Sequence, residues 1–174
     1  MKGILLIFIL SISTFIYGQK HRNGPYIDPI LEKHVNSWME DAECHSVNWK
    51  RSFFKFDSIV TMNFPFEDIL GYCDDYNRKI MISKTIIDDP FLLKFVVYHE
   101  LGHCILDYKH ICDRMSIMNP ALNFYPKELY RRMWDQLIDD FFDRNKGIPC
   151  PELRIEEGRL DSDMSLPHIN ICPH

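Results

Sequence analysis

With 174 residues, the chain is long enough for one domain with a full core and too short for two. Hydrophobic residues at 46% and charged residues at 26% sit in the ordinary globular range and exclude a disordered chain. A formal net charge of -5 with no long basic run excludes nucleic acid as a main partner.

The chain opens with Lys2, an apolar stretch from Ile4 to Leu10 and a small-residue region from Ser11 to Gly18, the organisation of a secretory signal peptide. Residues 1–18 are read as that signal and residues 19–174 as a single domain. The cut is expected near Gln19, with Ser11 and Ser13 marking a second site and an uncleaved membrane anchor as the alternative. Ile4 to Tyr17 falls short of the ~20 apolar residues of a spanning helix, so no stable membrane insertion is expected after cleavage. Gln19 to Asp28 contains no cysteine, so latency through a switch cysteine is not expected. Cys44, Cys73, Cys104, Cys112, Cys150 and Cys172 all follow the signal, and an even count there points to disulfides in a periplasmic or extracellular compartment. The first pairing to consider is Cys104 with Cys112; the alternative is that Cys104 is a buried small apolar residue. The absence of a Cys-x-x-Cys pair argues against a thiolate metal site.

From Asp28 to about Cys44, Ile30, Leu31, Val35, Trp38 and Met39 recur at helical spacing behind an Asp28-Pro29 start. Phe54, Phe56 and Ser58 to Met62 suggest a strand, Ile69 to Cys73 a second and Lys79 to Ile82 a third, with a hairpin loop at Asp74 to Asn77. Asp89-Pro90 opens a central helix whose Phe91, Leu92, Phe95, Val96, His99, His103 and Leu106 share one side. A second long helix is expected from about Pro126 to Asp143, with Leu129, Met133, Trp134, Leu137, Ile138 and Phe141 as its core stripe. From about residue 147 the chain reads as an irregular tail tied down by Cys150 or Cys172, with His168 and His174 facing solvent.

The chemistry concentrates in His99-Glu100-Leu101-Gly102-His103. Two histidines four apart on a helix stand one turn from each other and can converge on one ion, while the intervening glutamate is angled toward a water on that ion. The bare string is expected by chance in on the order of one in fifty such chains, so its surroundings must carry the rest. A catalytic zinc needs a third protein ligand, and His110 is the nearest candidate. On a continuing helix it would rise about 10 Å beyond His103, too far to share an ion bonded at about 2 Å. The helix must therefore end and fold back, and Asp107 is the residue best suited to the left-handed turn. Glu128 on the following helix, Asp107 and Asp113 are the alternative third ligands.

His99, Glu100 and His103, followed by Met118 in Ser116-Ile117-Met118, resemble the metzincin metalloproteases, whose signature is His-Glu-x-x-His-x-x-Gly-x-x-His followed by a turn containing methionine. The string also resembles that of small secreted bacterial metallopeptidases. Leu106 stands at the glycine position and Lys109 at the third histidine, with His110 one residue late, which reads as a one-residue insertion in the turn. The resemblance implies an α+β, zincin-like fold: a small, twisted, mostly antiparallel sheet packed on the active-site helix, with a C-terminal helix. It implies a secreted zinc endopeptidase in which His99, His103 and His110 hold Zn2+, Glu100 is the general base and Met118 forms a floor under the imidazoles. The partner is then a peptide or protein substrate, paired along a sheet edge at Lys79 to Ile82, and the protein a monomer. Tyr125 could donate to the oxyanion, or be an ordinary packed tyrosine. Two other readings remain: a catalytically silent secreted zinc-binding module, and a zinc amidohydrolase acting on cell-wall peptides.

Overall fold

The structure, a computed structural model, describes residues 24–120 and 125–143. The expected signal peptide, its cleavage site, the tail with Cys150, Cys172, His168 and His174, and residues 121–124 lie outside the described residues.

Strand β1 (Tyr26–Ile27) leads into helix α1 (Pro29–Cys44), and strand β2 (Ser58–Met62) returns parallel to β1. Asp28 caps α1: its side chain accepts from the Ile30 N–H at 3.2 Å and from the Thr61 hydroxyl at 2.7 Å, fixing the helix start against β2. The short helix α2 (Lys50–Phe53) occupies the connection. Phe56, expected in a strand, is instead a buried residue of the turn before β2, and Phe54 is half exposed beside it. Strand β3 (Gly71–Asp74) and strand β4 (Lys79–Ser83) form a hairpin whose loop is closed by the Asp74 carboxylate accepting from the Asn77 N–H at 2.8 Å.

The four strands lie in the order β1-β2-β4-β3. Two of the three pairings, β1 with β2 and β2 with β4, are parallel, and β3 with β4 is the antiparallel one. The sheet is thus mixed and not mostly antiparallel. The reason lies in the crossovers: the helical connection returns β2 alongside β1, and the β3 hairpin places β4 inside the sheet. This also corrects the expected edge, because Lys79–Ser83 is interior and Gly71–Asp74 is one of the two edges among the described residues.

Alternation along the strands sets one row of side chains inward. Ile80 lies between Ile59 and Cys73 across the ladder, and Ile82 between Thr61 and Gly71. Ile59, Ile80 and Ile82 are fully buried there, in a core shared with Leu31, Val35 and Trp38 of α1. Helix α3 (Pro90–Leu106) packs between α1 and the sheet, which explains why its residues are buried nearly all round from Leu93 to Gly102.

The last expected helix is two, α4 (Lys127–Arg132) and α5 (Trp134–Phe142), bent at Met133. The backbone bonds from Met133 N–H to Leu129 and from Leu137 N–H to Met133 continue on either side, so the apolar stripe reads straight through a kink. Among the described residues no helix is long and apolar enough to cross a membrane.

Candidate metal centre

The site is carried by α3 and the turn that ends it. Asp89 caps the helix by accepting from the Leu92 N–H at 3.1 Å, and Pro90 fills the first helical position. Seventeen residues later Asp107 takes the left-handed conformation, φ 57° and ψ 37°. Its N–H bonds the His103 carbonyl at 3.1 Å and the next N–H, of Tyr108, reaches back to Gly102 at 3.0 Å, closing the helix end. The chain then doubles back, as the spacing of His103 and His110 requires. Counted from this left-handed residue, the third histidine comes three positions later, the same interval as in Gly-x-x-His. The extra residue therefore lies on the helix side of the turn.

His99, His103 and His110 converge, with their ligand-capable nitrogens all within 4.8 Å of one another. His99 Nε2 lies 3.1 Å from His110 Nε2 and 3.1 Å from His103 Nε2. The far nitrogen of each helix histidine faces a carbonyl: His99 Nδ1 meets Ile117 O at 2.7 Å, and His103 Nδ1 meets Tyr108 O at 2.6 Å. A carbonyl only accepts, so both Nδ1 atoms carry the proton and donate. In neutral rings the two Nε2 lone pairs then face each other across 3.1 Å, which repels unless a positive charge lies between them. Two nitrogens held at about 2.0–2.1 Å on one tetrahedral ion stand roughly 3.3 Å apart, close to the separations here. The three histidines could therefore hold a metal ion, with the orienting carbonyls typical of imidazole ligands already in place.

The loop that supplies one of those carbonyls is itself tightly held. Ile111, next to His110, donates its N–H to Met118 O at 2.9 Å, and the Ser116 hydroxyl accepts from the Met118 N–H at 3.1 Å. The Asn119 side chain closes the same loop on the Arg114 carbonyl at 3.1 Å. Met118 is fully buried, with its Sδ against Gly102 of the helix. Gly102 makes this approach possible, since a Cβ there would stand 2.6 Å from Met118 Sδ and 2.9 Å from a Phe141 ring carbon.

Glu100, on the same helix, is completely buried. Its carboxylate lies over Gly71 of the edge strand, where a Cβ would come within 2.7 Å of Glu100 Cγ and 2.8 Å of Cδ. Gly71 is a site residue that motif reading missed. The available signal was a lone glycine inside a strand, which marks a close approach.

The other third-ligand candidates stay apart from the cluster. Glu128 is largely exposed on α4 and faces Arg131, while Asp107 serves the turn and Asp113 lies outside the histidine group. Tyr125 packs edge-on against Tyr130, with ring centres 6.1 Å apart. Phe95, one turn before His99, stacks toward its ring at 6.5 Å and is backed by Tyr130 at 5.3 Å. Burial pushes the Tyr130 phenol up to about 12, keeping it protonated at any ordinary pH. Behind the site, the Tyr98 hydroxyl donates to Asp41 at 2.6 Å and ties α3 to α1, while burial holds its pKa far above the usual phenol value.

The expected Cys104–Cys112 pair does not form. Cys104 is bonded to Cys73, with Cα atoms 5.7 Å apart, because the helix face carrying Cys104 rests on the edge strand and not on the turn. Cys112 is disulfide-bonded too, and Cys44 is a free, exposed thiol. Comparison of the chain with known protein families, with curated proteins and with solved structures finds no match in any of the three.

Proposed function

We propose that the protein is a secreted zinc-dependent peptidase that hydrolyses peptide bonds, with His99, His103 and His110 as the zinc ligands and Glu100 as the general base. The observation that carries this reading is the convergence of three imidazole Nε2 atoms next to a buried glutamate one residue from the first of them. Zinc is the favoured ion because an all-imidazole set with two hydrogen-bonded Nδ1 atoms suits its tetrahedral preference and leaves a position open. When bound, zinc supplies Lewis acidity, polarising a carbonyl and bringing the pKa of water to about 7.

The chain's own residues supply the rest. The Glu100 carboxylate accepts a proton from the attacking water and returns it to the leaving amine. Its burial excludes bulk solvent from that transfer, and Gly71 fixes where the carboxylate sits. His99 and His103 are held in one tautomer by the Ile117 and Tyr108 carbonyls. An extended substrate is expected to pair along β3, the sheet edge nearest Glu100, through backbone hydrogen bonds that read no side chain. Secretion is supported by the signal-like start of the sequence and by the disulfide that pins the site.

The test is incubation of the mature protein with a denatured protein mixture, with new termini mapped by mass spectrometry. The wild type is expected to generate them and Glu100→Ala to be slower by about 10²- to 10⁴-fold at unchanged zinc content. A zinc-loaded wild type that cuts no peptide would leave the silent binding module as the better reading.

A further inference from the structure

We propose that the Cys73–Cys104 bridge is a positioning device for the base of this site, pinning the edge strand so that Gly71 stays seated under the Glu100 carboxylate; the inference rests on the peptidase reading. The strand and the helix meet at two points. Gly71 lies against Glu100, and Cys73 is bonded to Cys104. The two strand residues are two apart and so share one face, and the two helix residues are four apart and also share one face. Two strand residues span about 6.7 Å and four helical residues about 6 Å, so the two contacts advance in register along both elements.

The strand needs such a tie. It has four residues, it is paired on one side to β4, and it forms the edge of the sheet among the described residues. Substrate pairing on its open side would pull directly on it. The place where a shift matters most is Gly71, because the missing side chain there is the space that the Glu100 carboxylate fills. The bridge is anchored on the residue after His103, on the helix that already holds two of the three imidazoles. Strand, base and metal ligands are thereby referred to one rigid element.

A bridge that merely staples the fold would change stability and leave the chemistry alone. The experiment compares zinc-loaded mature wild type with Cys73→Ala/Cys104→Ala, with Gly71→Ala, and with the triple variant, measuring zinc content, kcat and KM, and solving the crystal structure of the bridge-free form. Zinc content is expected to stay constant, and kcat to fall by about 10- to 100-fold in both parent variants with a smaller change in KM. The triple variant should lose no more than the worse of the two, since both act through one carboxylate. An unchanged kcat without the bridge, or losses that multiply in the triple variant, would overturn the proposal. Should the bridge-free chain not fold, Gly71→Ala with the bridge intact decides the seat: unchanged kcat there would also overturn it. If no form cleaves any peptide, the peptidase reading fails separately, and the Glu100 position in the bridge-free crystal still decides whether the bridge seats it.

Discussion

Asp107 shapes the site from outside the histidine cluster, because its left-handed backbone turns the chain and brings His110 to His99. Aspartate tolerates this conformation better than most residues, and glycine better still. Asp107→Gly is therefore expected to keep full stability and metal affinity. Asp107→Val, with a branched Cβ in the same conformation, should lower stability by about 1–2 kcal/mol and weaken metal binding with it. Thermal melts together with metal titration check both variants. The histidines, their spacing and the need for a break between them were readable from local sequence. Gly71 was not recognised, because its importance comes from Glu100, a residue 29 positions away that only the fold sets against it.

At the scale of elements, α5 backs α3 through Phe141 against Gly102, and His45 at the end of α1 latches α5 in place. The His45 ring stacks on Phe142 at 5.1 Å. Its Nδ1 faces the Asp41 carbonyl at 2.8 Å and its Nε2 the Asp139 carboxylate at 3.0 Å. The carbonyl and then the carboxylate raise the pKa above the ordinary imidazole value, against the opposing pull of partial burial. A raised folded-state pKa means that the latch contributes fully below about pH 6.5 and fades as pH rises through the folded value. The melting temperature of the wild type should thus fall more steeply above pH 6.5 than that of His45→Gln, and parallel curves would contradict the latch. Helix starts were readable here because Asp28-Pro29 and Asp89-Pro90 are local signals, and both caps are observed. The bend at Met133 was not, since no glycine or proline marks it. Strand order and the Cys73–Cys104 pairing depend on which element lies beside which, and no local pattern encodes that.

For the molecule as a whole, the sheet, α1 and the paired helices α4 and α5 surround one helix, which makes the site's rigidity a property of the entire core. The Asp89 carboxylate pairs with Lys127 and approaches Arg131 at 4.0 Å, so the cap of α3 is also the anchor of α4. Tyr98 performs the same function toward α1. Such a frame holds the Nε2 atoms of His99 and His103 in an arrangement that neutral imidazoles alone would resist, and a divalent cation would relieve the repulsion. The most direct test is zinc per chain, measured by mass spectrometry after dialysis, in the mature wild type, in His110→Ala and in Glu128→Ala. One zinc is predicted for the wild type and Glu128→Ala, with most of it lost from His110→Ala. A wild type without metal, or a His110→Ala protein that keeps it, would contradict the three-histidine centre.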